Sequence, residues 1–268
     1  MSAPVGRGYA NTSLGQIHYR EAGSGPPVLI LHESPLSGAI YERALPILAR
    51  RVRAISVDTP GYGDSEPPPE PLPISGYAQY LEQFLDTMEL ESLALAGDHT
   101  GGAIAIQLAV DLPERIRALV VGGTLLLTDE EQEFLLTKYL EPMTLSSDGS
   151  HLTWAWKRLQ AYLNPDALPE QLHHATVDFL RSGTKYDWGF RAAFEFETAE
   201  MLPKIKCPTL FMATRGDPFL AKNEDAVTLT PNAEGRILDL PFQQLAANDP
   251  ETYSRKVLGF LERVGYIS

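Results

Sequence analysis

Leu95-Ala96-Gly97-Asp98-His99-Thr100-Gly101-Gly102 is the stretch on which the reading of this chain turns. The apolar run Ser92–Ala96 before it has the length and composition of a buried strand. Ala103–Val110 after it reads as a helix that stops before Pro113. Glycines two residues either side of His99 let strand and helix approach closely around one strained apex residue. A sharp strand-to-helix turn of this kind projects its apex side chain out of the sheet.

The same rhythm runs outward in both directions. Pro27–Leu31 and Arg53–Val57 are short buried-strand runs, and Gln16–Arg20 carries a further strand signal. Tyr41–Arg50 and Ser75–Met88 read as helices, and Ile116–Val121 as a strand. Alternating strands and helices imply a largely parallel sheet with helices on both faces. Glu66–Pro73 has five prolines in eight residues and reads as a stiff loop. From about residue 128 to 205 the rhythm breaks. Four amphipathic helical stretches are expected there, at Glu130–Leu140, Thr153–Leu163, Pro169–Arg181 and Phe190–Met201, with no strand. Alternation resumes with strands at Thr209–Ala213 and Arg236–Leu240 and a closing helix at Pro250–Val264. The expected domains are therefore an α/β core, residues 1–127 and 206–268, and a helical cap, 128–205. The cap holds all three tryptophans, Trp154, Trp156 and Trp188. Either these aromatics pack the cap onto the core, or they line an apolar substrate pocket beneath it.

Two further loops follow buried strands: His32-Glu33-Ser34-Pro35 and Asp58-Thr59-Pro60-Gly61-Tyr62-Gly63-Asp64-Ser65. With the His99 turn, which has nucleophile-elbow spacing, they make the chain resemble the α/β-hydrolase superfamily from about Gly15 to Val264. The nearest branch in appearance is that of haloalkane dehalogenases and epoxide hydrolases. Its His-Gly-x-Pro loop corresponds to His32–Pro35, its D-x-x-G-x-G-x-S to Asp58–Ser65, and its acid loop to Ala213–Pro218 with Asp217. The resemblance implies a mostly parallel sheet of about eight strands, a helical cap and a pocket between them.

The chemistry of that branch does not carry over. The elbow apex should be Ser, Asp or Cys, and here it is His99. The base histidine belongs before the last helix, but the six histidines lie at 18, 32, 99, 151, 173 and 174. Gln243 takes that place, with Gln244 as the alternative. A serine-type or dehalogenase-type mechanism lacks its nucleophile and its base. The expected catalytic set is His99, Asp217, Gln243 and Glu33. His99 is expected neutral, because it sits at a helix N-terminus, although pairing with Glu33 would raise its pKa. The backbone N–H groups of Ser34 and Thr100 match the family's oxyanion hole, and Trp154, Trp188 and Phe242 are the expected apolar substrate contacts. His32 reads as a loop-holding residue, and Asp58 as either structural or part of the site.

The reaction expected of such a site is cofactor-independent general acid/base chemistry on a small, mostly apolar molecule: lyase, isomerase or cyclase steps, or hydrolysis by an activated water. The alternatives are a silent small-molecule binder and a hydrolase with another catalytic set. Lys plus Arg is 22 against 35 for Asp plus Glu, a net charge of −13, which disfavours nucleic acid and anionic membrane surfaces as partners. Cys207 is the single cysteine, so an internal disulfide and a cysteine-based zinc site are excluded. His173 and His174 are adjacent and so face different ways, and no metal is expected. With no apolar signal core or spanning run, the expected compartment is the cytoplasm. Apolar cap helices leave a homodimer open.

Overall fold

The structure is a computed structural model and describes residues 3–163 and 169–268. Residues 164–168 of the expected cap lie outside the described residues. Eight strands form one sheet in the order β1-β2-β4-β3-β5-β6-β7-β8. They are β1 (Gly6–Thr12), β2 (Gly15–Ala22), β3 (Pro27–Leu31), β4 (Arg53–Val57), β5 (Leu93–Asp98), β6 (Ile116–Gly122), β7 (Thr209–Thr214) and β8 (Ala233–Leu238). β1 and β2 pair antiparallel, β2 joins β4 antiparallel, and the remaining ladders are parallel.

The central strands read as continuous apolar runs because both faces are covered. Along β3, Leu29 and Leu31 point into one core while Val28 and Ile30 point into the other. In β5 the same alternation puts Leu93 and Leu95 on the first side and Ala94 and Ala96 on the second. Helices α2 (Ile74–Thr87) and α3 (Thr100–Asp111) cover the first side. The second is covered by α1 (Leu45–Leu48), and by α10 (Leu245–Asn248) and α11 (Pro250–Arg263), which follow β8.

Between β6 and β7 the described residues form helices only: α4 (Asp129–Phe134) with a π-turn at Leu135–Tyr139, α5 (Ser150–Tyr162), α6 (Pro169–Ser182), α7 (Trp188–Phe194) and α8 (Thr198–Met201). Helix α9 (Asn223–Leu229) lies between β7 and β8. Thr128 opens α4 with a reciprocal capping box to Glu131. Asp249 caps α11 by accepting from the Thr252 N–H at 3.0 Å, with Pro250 in the first turn.

Three expectations are corrected, and one strand, β1, was not expected. The helix expected over Tyr41–Arg50 is only a 3₁₀ turn at Gly38–Tyr41 followed by α1. Pro46 has no N–H and fits only the first turn of a helix, so α1 starts beside it. The helix expected over Phe190–Met201 is split into α7 and α8, where the Gln132 side-chain amide donates to the Phe194 carbonyl at 2.6 Å and helps end α7. β1, rich in glycine and polar residues, has little intrinsic strand preference and forms through its pairing with β2. β8 starts three residues earlier than expected, paired with β7 from Ala233 onward.

β3 lies between β4 and β5, so the chain leaves it in one direction along the sheet and later returns to its other side. The crevice beyond the carboxyl ends of strands at such a switch point is where open α/β sheets bind ligands. The His32–Pro35 loop leaves β3 and His99 follows β5, at that crevice.

Candidate active site

His99 is the apex of the β5–α3 turn, with φ +47° and ψ −109°. That conformation is costly for any residue with a Cβ and persists only where the surroundings enforce it. A Cβ on Gly97 would lie 2.3 Å from the Gly101 carbonyl oxygen, and one on Gly101 would lie 2.2 Å from the Leu31 carbonyl oxygen. Gly97 and Gly101 therefore allow the close backbone packing of the turn. The turn is also pinned by the His99 N–H donating to the Gly122 carbonyl at 2.9 Å.

The imidazole sits between two buried carboxylates. Nδ1 lies 2.8 Å from Glu33 Oε2, and Nε2 lies 3.2 Å from Asp217 Oδ2. Neither oxygen lies in line with a ring N–H, so the attraction is mainly Coulombic. Residue exposures are 8% for His99, 1% for Glu33 and 7% for Asp217. Burial by itself pushes the imidazole pKa down, but Asp217 and Glu33 outweigh it and hold the ring well above its ordinary value. Burial likewise raises Asp217, and the His99 charge overcomes this and leaves its carboxyl below the usual range. The two carboxylates thus push the imidazole pKa up, against the downward push expected from the helix N-terminus. A helix end contributes about 0.3–1 kcal/mol, whereas charges at about 3–4 Å interact by several kcal/mol in partly buried surroundings.

The carboxylates are themselves held. Glu33 Oε2 also accepts from the Tyr162 hydroxyl at 2.9 Å, and Asp217 Oδ1 accepts from the Phe219 N–H at 2.7 Å. The Phe219 ring meets the His99 ring edge-on, with centroids 5.8 Å apart. Gln243 Nε2 donates to the Tyr162 carbonyl at 2.5 Å, while its Oε1 is buried without a partner. Burial, then the Glu33 charge, push the Tyr162 phenol well above its usual value.

A cavity of about 510 Å³ opens over this cluster. Its floor is His99, Thr100 and Gln243, and its walls include Tyr139, Trp154, Phe190 and Phe194. Thr100 is the first residue of α3, where backbone N–H groups have no partner within the helix. Behind the ring a narrow cleft of about 20 Å³, the size of one water molecule, is lined by Glu33, Asp98, Gln244 and Tyr253, among others. Burial pushes the Asp98 carboxyl up to about 6, and its Oδ2 accepts from the Tyr41 hydroxyl at 2.5 Å.

The structure thus brings together His99, Glu33, Asp217, Gln243, Thr100 and Trp154. Gln243, rather than Gln244, shares the main cavity with His99. Two expected contacts lie elsewhere. The Trp188 ring carries the Lys185 ammonium 5.1 Å from its centroid. Phe242 packs with the α10–α11 core, and its carbonyl accepts from the Thr214 hydroxyl. Neither lines the cavity. The Ser34 side chain packs against Gly189 beside the Tyr62 hydroxyl, apart from the backbone N–H expected to face the site. Glu33 is fully enclosed.

Two other readings resolve as loop chemistry. His32 Nδ1 donates to the Glu33 carbonyl at 2.9 Å, and its Nε2 accepts from the Thr59 N–H at 2.9 Å. Burial lowers its pKa, consistent with a neutral ring. Asp58 is contacted by Arg20 and His18 and by the N–H groups of Gly38 and Asp64, all within 2.9 Å. Burial raises its carboxyl, but His18, Arg20 and the Asp64 N–H hold it well below the usual range. His18, Asp58 and Asp64 have metal-ligand spacing, but the Arg20 guanidinium already supplies their positive charge.

Tyr162 and the cationic pair Lys157 and Arg158 escaped the sequence reading. Their signal was spacing: Trp154, Arg158 and Tyr162 recur every four residues on one helix.

The residues 26–239 match the model of the alpha/beta hydrolase fold, and the chain belongs to that family. Haloalkane dehalogenase 2 of Mycobacterium tuberculosis is 33% identical over 115 residues, 42% of this chain and 40% of that protein. The chain thus aligns with less than half the length of that relative. The 2-hydroxy-6-oxo-6-(2'-aminophenyl)hexa-2,4-dienoic acid hydrolase of Metapseudomonas resinovorans is 24% identical, across 95% of this chain and 90% of its own. A thermophilic esterase from Thermogutta terrifontis superposes with a TM-score of 0.79 at 17% identity, over 97% of this chain and 99% of that one.

Proposed function

We propose that this chain is an enzyme performing cofactor-independent general acid/base chemistry on a small, mostly apolar organic molecule, with His99 as the proton-carrying group. The reaction class is a lyase, isomerase or cyclase step, or hydrolysis by an activated water. The observation that carries this reading is an imidazole on the floor of an aromatic cavity, held between two buried carboxylates.

In this reading the His99 imidazolium gives its proton to a substrate oxygen that gains negative charge, beside the Thr100 N–H. Asp217 stays ionised and fixes the ring, and Glu33 stands ready as the proton acceptor on its other side. The Gln243 amide orients a substrate carbonyl and moves no proton. An acyl-enzyme or alkyl-enzyme route has no support, because the elbow side chain is neither hydroxyl, thiol nor carboxylate. A second reading, a binder without turnover, is favoured by the engagement of both ring nitrogens with carboxylates.

Turnover of a panel of enol esters, epoxides, hydroxy ketones and polyenes by wild type and His99→Ala tests the proposal. The expected result is a loss of about 10²-fold or more on any converted compound. Near wild-type turnover by His99→Ala removes His99 as proton carrier. Ligand retention without any conversion by wild type supports the binder. A fluorophosphonate probe is expected to label no cavity residue, and stoichiometric labelling of a cavity Ser or Thr overturns the assignment of the elbow.

A further inference from the structure

One stripe of α5 faces the cavity: Trp154, Lys157, Arg158 and Ala161, the i, i+3, i+4, i+7 spacing of a single helical face. Trp154 and Arg158 are half-buried, and Lys157 and Ala161 are exposed. Here two of the four are cations, in a chain whose net charge is −13.

Arg158 is half-buried, and its guanidinium carbon lies 4.9 Å from the Tyr139 ring centroid, 5.6 Å from Trp154 and 5.8 Å from Tyr186. The rings fix the orientation of the planar group through cation–π contact. Its one hydrogen bond among the described residues runs from Nη2 to the Tyr139 carbonyl at 2.9 Å. A guanidinium has five N–H donors, so most of the fork stays available to the cavity. Among the described residues no carboxylate oxygen comes within 4.0 Å of either Arg158 or Lys157. Glu141, the carboxylate on the same wall, is exposed and accepts instead from Trp154 Nε1 at 3.3 Å. The cavity wall therefore carries an oriented guanidinium with no ion-pair partner within 4.0 Å among the described residues, and the cavity floor carries His99.

We infer that Arg158, assisted by Lys157, is an anion subsite, and that the substrate is an apolar molecule bearing a terminal carboxylate. This rests on the reading above only in taking the His99 cavity as the substrate site. A planar guanidinium matches a carboxylate in two-point fashion, and a partly dehydrated charge discriminates strongly between an anion and a neutral isostere. Arg158 precedes Tyr162 by one helical turn, a rise of about 6 Å, and the Tyr162 hydroxyl touches Glu33. A carboxylate held by Arg158 lies against the α5 wall of the cavity whose floor is His99.

Calorimetric titration with phenylbutanoate and phenylhexanoate, each beside its primary amide, tests this directly. Wild type is expected to bind at least one acid about 10-fold or more tighter than its amide. Arg158→Gln is expected to abolish the preference and Lys157→Gln to reduce it. The titration reads binding without turnover, so a failure of the acid/base reading leaves this result intact. Arg158→Met preserves the packing of the stem and serves in the same role where circular dichroism shows Arg158→Gln unfolded. Equal affinity for acid and amide in wild type, no binding of either, or a preference that survives both Arg158 variants overturns the assignment.

Discussion

His99 carries more of this molecule's character than any other residue, and its charge state follows from a competition of magnitudes. The helix end favours a neutral ring, while two carboxylates at 2.8 and 3.2 Å favour a charged one and prevail. In heteronuclear NMR of the wild type the His99 ring is expected to remain protonated through neutral pH. Glu33→Gln is expected to move its titration to lower pH, and an unchanged titration would contradict the pairing. The sign for stability follows from a folded pKa above the unfolded one. His99's contribution is fully present below about pH 6.5 and is lost as pH rises through the folded value. Denaturant unfolding of the wild type from about pH 6 upward is expected to show that decline. The sequence made the partners legible, because Glu33, His99 and Asp217 each end a strand at its carboxyl side. It did not make the charge legible, since the helix end is visible in sequence while the Asp217 distance is a tertiary fact.

Helix α5 does two things at once: it walls the cavity and it reaches the floor. The Tyr162 hydroxyl bonds Glu33, and the Tyr162 carbonyl accepts from Gln243, which ties the inserted helices to the core at the site itself. Tyr162→Phe is expected to cost about 1.5–3 kcal/mol, as for loss of a hydrogen bond to a charged group. Amide exchange is expected to speed up in α5 more than in α3, and equal protection in wild type and variant would show that the tie carries no local stability. Elements with strong internal pattern were readable, β3 and β4 to the residue, because a parallel strand covered on both faces is apolar throughout. Elements that depend on partners were not. β1 needs β2, and the end of α7 is assisted by a glutamine 62 residues earlier.

Across the whole molecule the sheet order places the site at the switch between β3 and β5, and the aromatic insertion closes over it. The pattern of alternating elements was enough to expect this architecture, while the wall residues depend on which way each inserted helix turns. That is why Trp154 reaches the cavity and Trp188 does not. The net charge of −13 also acts at this scale. Raising salt from about 10 to 150 mM shortens the screening length from about 30 to 8 Å. Relief of self-repulsion is then expected to raise Tm at pH 8 by about 2 °C or more, and a fall in Tm would mean that surface ion pairs dominate. The unusual backbone of the β5–α3 junction is enforced by Gly97 and Gly101 against their neighbours, and by the His99 N–H on Gly122, none of which involves the apex side chain. The junction is a chassis with an interchangeable tool: the contacts that hold the turn are made by backbone and glycines, whichever side chain stands at its apex.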